Sequence, residues 1–591
     1  MPSARHPIRW LSTIAVAVAF GMWTPHSPAC QAPTTERPPA EPELVAPARD
    51  SYRIRFAAAA PSTPATNREA PPEAKPTPAT MPDKVEAVGP KGEVPPAPAM
   101  TGRMILFFIR EGRRAIHADP VDAPFYFSPQ PLASVEIDAL AADAVVIIDG
   151  ASAAWPASVD ELEGVFRVQA LFRRNAASSS ELRGHQAPGN LISTVKEVTL
   201  HRDTTDEIEL ELSEAIEAEP LGEAPNLKWI EIRSDLLSTA QGHDVLMRAG
   251  VVFPKDYEVL TAKRRFWPTI YVIPGFGGDH RMAEHYASMM MTPGAEQIAP
   301  QAVYVILDPN GPLGHHGFTD GACQGPRGEA LVRELIPALE ERYRLVRKPE
   351  GRVVTGHSSG GWSSLWLQLN HPDVFGACFS SAPDPVDFTA FQRSNLYADE
   401  NIFLDAEGRE LGSFRQPLGP EDDRVLMTVR EELGVEHVLG PLGDSGEQWG
   451  AWSAMFGPAR PSGRGTRLPR PAIDPVSGAI DREIIERHWS RYDIARLVTS
   501  DWPKYGPILA ERVRLLCGDR DSYYLNLAVA RLREKVTALK EKDIAANRMP
   551  PVGPGYIELV PRATHETIVP LTTMRWNKEM VEHLRRHGLH D

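Results

Sequence analysis

The 591-residue chain has only four cysteines, and their spacing forms no disulfide framework. Cys378 and Cys517 lie inside apolar runs that read as buried strands, and Cys323 lies in a glycine-rich loop, so these three read as packing residues. No Cys and His stand at metal-ligand spacing, and no metal is expected. The chain also lacks a basic excess. Its 63 Lys and Arg against 78 Asp and Glu give a formal net charge of −15, which argues against nucleic acid as a partner. Finally, it lacks a long hydrophobic run. The mostly apolar stretch from Trp10 to Trp23 is too short to span a bilayer comfortably.

That short run has another use. Arg5 and Arg9 precede it, and Ser27-Pro28-Ala29 offers small residues for cleavage before Cys30, the pattern of a bacterial-type export signal over residues 1–29. Cys30 directly after Ala29 also suggests a lipoprotein site and attachment to the envelope. Such sites usually carry Leu three residues before the cysteine, and Ser27 stands there, so plain secretion is the preferred reading. Residues 30–100 are rich in Pro, Ala and Glu and hold 16 of the chain's 56 prolines. Such a segment buries too little apolar surface to offset its ordering entropy and reads as a disordered linker.

Two folded regions follow. Over residues 101–233, Met104–Ile109, Ala144–Ile148, Gly164–Leu171 and Glu207–Leu212 read as strands, several of them alternating polar and apolar residues as half-buried antiparallel strands do. A small β-sandwich fits best. From residue 234 to 591 the pattern becomes α/β. Short apolar strands at Thr269–Ile273, Val303–Leu307, Arg352–Thr355, Ala377–Ser380, Val513–Cys517 and Tyr556–Val560 alternate with helical patterns such as Glu329–Tyr343. That rhythm gives a mostly parallel sheet covered on both faces. An insertion at about 387–505 interrupts it, with far more residues than one crossover helix needs. It contains Gln448-Trp449-Gly450-Ala451-Trp452 and a Pro/Gly/Arg-rich tract from Gly457 to Pro475. Such an insertion lies either over the active-site face or on the side of the domain.

The motif with most chemical content is Gly356-His357-Ser358-Ser359-Gly360, a G-x-S-x-G at the end of the strand Arg352–Thr355. Chance alone supplies such pentapeptides, so the context carries the inference. A nucleophile elbow needs a tight strand-to-helix turn flanked by glycines, and strand, turn and helix all follow in order. Ser358 is the candidate nucleophile. A serine hydroxyl needs a base and an orienting acid, each expected just after a later strand. Asp521, three residues beyond Gly518, is the candidate acid, with Asp519 in the same turn and Asp384 after the preceding strand as alternatives. His565, the only histidine between the last strand and the last helix, is the candidate base. Ile273-Pro274-Gly275-Phe276-Gly277-Gly278 follows a buried strand and suits an oxyanion hole. One donor is assigned to the backbone N–H of Phe276, with Gly277 as alternative, and the other to Ser359. His315-His316 has no third ligand and is read as pocket wall, not as a metal site.

With these motifs the chain resembles the esterase branch of the α/β-hydrolases that includes S-formylglutathione hydrolases, feruloyl and acetyl-xylan esterases, enterochelin esterases and antigen 85 mycolyltransferases. The residues carrying the resemblance are Ile273–Gly278, Gly325–Ala330 with the Glu334–Pro337 helix, Gly356–Gly361, Gly518 with Asp521, and His565. Ile273-Pro274-Gly275 replaces the more usual apolar-His-Gly, and Thr564-His565-Glu566 replaces a Gly-Gly-His or Gly-His-aromatic pattern. The resemblance implies a triad of Ser358, Asp521 and His565 acting without a cofactor. The expected function is an exported serine esterase acting on a small-molecule or polysaccharide-linked ester. An acyltransferase of the mycolyltransferase type and an inert surface binding protein are the alternatives. The sequence carries no signal of oligomeric state.

Overall fold

The computed structural model describes residues 52–56, 100–112, 118–122, 129–140, 144–174, 187–201, 207–259, 264–419, 422–441, 443–461 and 467–590. The expected export signal, Cys30 and most of the expected linker lie outside them.

The C-terminal region is built on one eight-stranded sheet. In spatial order its strands are Leu227–Arg233, Leu246–Val252, Val303–Leu307, Thr269–Ile273, Arg352–His357, Ala377–Ser381, Val513–Gly518 and Tyr556–Val560. The first two pairings are antiparallel and the rest parallel. The central strands Thr269–Ile273, Val303–Leu307 and Ala377–Ser381 are buried at every position. They are continuous apolar or small-residue runs because helices cover both faces. The helical pattern expected over Glu329–Tyr343 is broken into Arg327–Ala330, a π turn at Leu331–Leu335, and Ile336–Arg342. Pro337, which has no amide to donate, stands in the first turn of the last piece.

The N-terminal region forms a nine-stranded sheet, antiparallel except for one pair. Within the stretch read as linker, Tyr52–Phe56 is a strand of this sheet, paired with Val145–Ile148 and Ile208–Ala215. Its alternation of aromatic, Arg and Ile residues suits a strand better than a coil. The long strand Met100–Arg110 is buried on both faces rather than one. Met104, Leu106 and Phe108 join a core internal to the sheet. Ile105 faces the other way, into a cluster that also contains Leu132, Leu171 and Ile192 of the sheet and Phe414, Met427, Val435, Val438 and Leu439 of the insertion. Alternation of side chains sends each set to its own face.

Polar contacts fix the same seam. Ser134 Oγ donates to the carbonyl of Val438 at 2.6 Å, and Arg173 donates to the carbonyl of Ser445 at 3.1 Å. A Cβ on Gly434 would meet the Trp155 ring at 2.5 Å, so the helix Val429–Leu439 lies close against the N-terminal sheet.

Candidate active site

The strand Arg352–His357 ends in a turn so tight that its glycines are obligatory. A Cβ on Gly356 would sit 2.2 Å from the carbonyl oxygen of Gly360, and one on Gly360 would sit 2.0 Å from that of Ile273. Between them Ser358 has φ 60° and ψ −127°, a backbone state that costs a non-glycine residue about 1–3 kcal/mol and persists only where the surroundings over-determine it. The helix Ser359–Asn370 starts immediately after it. As its first residue, Ser359 has a backbone N–H with no acceptor inside the helix.

His565 and Asp521 are in contact. The ring Nδ1 of His565 lies 2.7 Å from Asp521 Oδ2. The other Asp521 oxygen accepts from the amides of Tyr523 and Leu525 at 2.9 and 3.2 Å, so the fully buried carboxylate has a fixed orientation. With Nδ1 bonded to the carboxylate, the imidazole carries its proton there and leaves Nε2 as the basic nitrogen. Burial disfavours the imidazolium, but the Asp521 charge and hydrogen bond, with Glu566 and Asp384 further off, outweigh it and raise the His565 pKa above its ordinary value. The ring of His357 packs against that of His565 with centroids 4.3 Å apart, which brings the base beside the elbow. Burial, and then the His565 charge, hold His357 well below the ordinary imidazole range, so it stays neutral.

The two alternative acids are placed elsewhere. Asp519 accepts from the amide of Arg562 at 2.7 Å and ties the acid loop to the loop carrying His565. Asp384 is buried next to the elbow, where its Oδ2 accepts from Ser359 Oγ at 2.7 Å, Trp452 Nε1 at 2.8 Å and Gln448 Nε2 at 3.4 Å. Burial lifts its pKa to about 6 against the pull of those hydrogen bonds.

The loop Gly275–Gly278 closes with a hydrogen bond from the Gly278 amide to the Gly275 carbonyl at 3.0 Å. Gly277 has φ +85°, the value that the third position of a type II turn requires. The turn bond leaves the amides of Phe276 and Gly277 outside it. A Cβ on Gly275 would lie 2.9 Å from the His357 carbonyl oxygen and 3.2 Å from Ser358 Cβ. The loop therefore presses against the turn that carries Ser358.

The insertion reaches this centre from two sides. Its helix Gln448–Phe456 carries Trp452 and Gln448 to Asp384. Its hairpin, Gly412–Pro417 with Asp423–Thr428, brings Arg415 under the acid loop. There Arg415 Nε donates to the Asp521 carbonyl at 2.9 Å, Nη2 to Asn526 Oδ1 at 3.2 Å, and Nη1 pairs with Asp423 at 2.6 Å. The same hairpin stacks Phe414 on Tyr523, whose ring edge meets His565 with centroids 4.9 Å apart. Of the two placements open to the insertion, it takes the active-site face. Sequence reasoning missed Arg415, and named Asp384 only as an alternative acid. Arg415 sits in a segment without strong periodicity, so nothing in the sequence pointed from it to Asp521. The Trp pair of Gln448–Trp452 was the one available signal. Those indoles join a buried aromatic cluster with Phe391, Phe456 and Trp489, which reaches Trp362 of the elbow helix through Phe456.

Residues 243–468 match the family model described as "Putative esterase", the class to which the motifs pointed. The match spans the oxyanion loop, the elbow and most of the insertion, and ends before Asp521 and His565. An uncharacterized protein, YbbA, from Bacillus subtilis (strain 168) is 21% identical over 192 residues, covering 29% of this chain and 75% of that protein. Among solved structures, an S-formylglutathione hydrolase from Agrobacterium tumefaciens is 14% identical with TM-score 0.33, covering 61% of this chain and 98% of its own. Est1E from Butyrivibrio proteoclasticus is 13% identical with TM-score 0.30, covering 60% of this chain and 99% of its own.

Proposed function

We propose that this chain is an exported serine esterase that cleaves carboxylic esters through an acyl-enzyme. Ser358 Oγ attacks the ester carbonyl while His565 Nε2 takes its proton. The backbone N–H groups of Phe276 and Ser359 receive the oxyanion, and collapse expels the alcohol, which takes the proton back from His565. Water repeats the sequence in reverse and releases the acid. Asp521 holds the imidazole in the required tautomer and stabilises its charged form. The observation that carries this reading is the 2.7 Å His565–Asp521 contact set beside a serine in the strained elbow conformation. A binding protein has no need of either.

The test is hydrolysis of p-nitrophenyl acetate and butyrate by the purified mature protein and its Ser358→Ala variant. The reading expects turnover to fall by about four to six orders of magnitude in the variant. An unchanged rate would end it, and a folded protein that a fluorophosphonate cannot label would favour the inert alternative. Export through residues 1–29 and a sandwich arrangement of the β-region belong to the same proposal. Fractionation of cells expressing the full chain, with and without residues 1–29, tests the export.

A further inference from the structure

His315 and His316, read from the sequence as pocket wall, are both almost wholly buried. The His315 ring has a defined proton. Its Nδ1 accepts from the Gly317 amide at 3.1 Å, so Nε2 carries the hydrogen and donates to the Pro274 carbonyl at 3.0 Å. Pro274 is the residue immediately before the turn that presents Phe276. Directly across the short hairpin Asn310–Gly311/Gly314–His315, the register partner of His315 is Asn310. Its Nδ2 donates to the Gly278 carbonyl at 2.8 Å, at the other end of the same turn. Asp308 Oδ1, which accepts from the Asn310 amide at 3.2 Å and from Nδ2 at 3.3 Å, holds that side chain in place.

Two cross-strand partners of one hairpin therefore clamp the two ends of the loop Pro274–Gly278. An oxyanion hole stabilises the transition state only as far as its donors are fixed before charge develops. The turn is glycine-rich, and glycine restrains its own backbone least of all residues, so rigidity has to come from outside. The hairpin is the element that touches both flanking carbonyls. Neither carbonyl can be the hole itself, because a carbonyl oxygen repels an oxyanion.

We infer that His315, in its neutral Nε2–H form and aided by Asn310, is a positioning residue that holds the loop Pro274–Gly278 with its amides turned toward the oxyanion. This rests on the esterase reading above and adds to it a residue that touches neither the substrate nor the triad. Ground-state ester carries little charge on its carbonyl oxygen, so loosening the loop affects the transition state far more than binding.

The experiment compares His315→Leu, His315→Gln and Asn310→Ala with the unaltered protein, using p-nitrophenyl acetate kinetics over a pH series, fluorophosphonate labelling rates and thermal midpoints. Removing an oxyanion donor outright costs about 100- to 1,000-fold in kcat, and misplacing one costs less. His315→Leu is expected to lower kcat by about 10- to 100-fold, with KM changed less than about threefold and the labelling rate lowered in parallel. The pH midpoint stays put, because His565 and Asp521 are untouched. His315→Gln supplies an N–H at a similar reach and recovers most of the loss, and Asn310→Ala falls in the same direction by a smaller factor. A shifted pH midpoint, a rise in KM with kcat intact, or a Gln variant as impaired as the Leu variant would overturn the assignment. If His315→Leu does not fold, Asn310→Ala and His315→Gln still decide it, since Asn310→Ala at full kcat overturns the clamp. Loss of activity in Ser358→Ala with none in His315→Leu sinks this inference alone, whereas an active Ser358→Ala sinks the esterase reading beneath it.

Discussion

The eight-stranded sheet and the insertion at about 387–505 surround the same serine by different means. The sheet delivers Ser358, Asp521 and His565 from the carboxyl ends of three strands. Each position is set by parallel hydrogen bonding across Arg352–His357, Ala377–Ser381, Val513–Gly518 and Tyr556–Val560. The insertion delivers no member of that set. It contributes Arg415 under the acid loop and, through Trp452 and Gln448, a tie to Asp384 beside the elbow. On the proposed reading, the reactive groups come from the regular part of the molecule, and the irregular part fixes their orientation. Substitutions in the two regions should therefore differ in kind: the first abolish chemistry, the second detune it.

The largest effect belongs to the sheet. Asp521→Asn keeps the shape of the acid but can present an N–H to the imidazole and so favour the wrong tautomer, and kcat should fall by about 10⁴-fold. The pH profile sharpens this. His565 must be neutral to accept the serine proton, and its pKa is raised, chiefly by Asp521 against the opposing effect of burial. Activity is therefore present above the raised pKa and lost as pH falls through it, with a midpoint above the ordinary imidazole value of 6.5. Removing the Asp521 charge moves the residual activity's midpoint down. A midpoint unmoved in Asp521→Asn would mean that another carboxylate, Glu566 before Asp384, governs the base.

The insertion should respond more gently. Arg415→Met removes the donor to the Asp521 carbonyl while keeping much of the side-chain bulk. Displacement of the acid by a fraction of an ångström should lower kcat by about 10- to 100-fold, and Arg415→Lys should regain part of it. KM for a small ester should hardly change, since Arg415 is buried and acts through the Asp521 carbonyl. An Arg415→Met variant as inactive as Asp521→Asn would erase the distinction between the two regions.

How far this was legible in the sequence follows the same division. The central parallel strands were readable because burial on both faces turns each into a short run of apolar and small residues, and Ser358, Asp521 and His565 could be proposed together because elbow, acid and base follow a fixed order along such strands. The close approaches at Gly356 and Gly360 explain why the pentapeptide carried information. Arg415 was not readable. Its contact to Asp521 joins residues 106 apart, and no periodicity marks it. The strand Tyr52–Phe56 was hidden for a different reason: five residues with β-propensity are flanked by Pro- and Ala-rich sequence whose composition dominates any window. Burial of Met100–Arg110 on its second face depended on residues of the insertion, far along the chain.

That second face offers a finer test of the coupling between regions. Leu171 is fully buried in the cluster shared by the N-terminal sheet and the insertion. Leu171→Ala should destabilise the protein by about 2–5 kcal/mol through lost burial and the cavity left behind, read as an earlier denaturation midpoint. The same cluster contains Phe276 and Tyr523 at its margin, so a fewfold fall in kcat should accompany it. Loss of stability with kcat unchanged would show that the N-terminal sheet supports the insertion without affecting the site.

The smallest effect concerns charge inside the insertion. Glu432 and Glu436 lie one turn apart on the helix Val429–Leu439, both buried. Glu436 accepts from the amides of Trp449 and Gly450, each at 2.8 Å, and from Ser445 Oγ at 3.0 Å. It thereby caps the helix Gln448–Phe456, while burial, and then the charge of Glu432, raise its own pKa well above the ordinary value. Glu432 has its pKa pushed up to about 7, first by burial and further by the charge of Glu447. A carboxyl whose folded pKa is raised binds its proton more tightly in the native state than in the unfolded one. Stability therefore falls as pH rises from the ordinary 4.5 through about 7. Glu432→Gln removes the charge and should raise the thermal midpoint at pH 8, by the equivalent of about 1–3 kcal/mol, while leaving it nearly unchanged at pH 4. Because the new amide would touch no reacting group, kcat at the pH optimum should stay within about twofold of the unaltered protein. An equal shift at both pH values would show that packing, and not the buried charge, sets the stability of this helix pair.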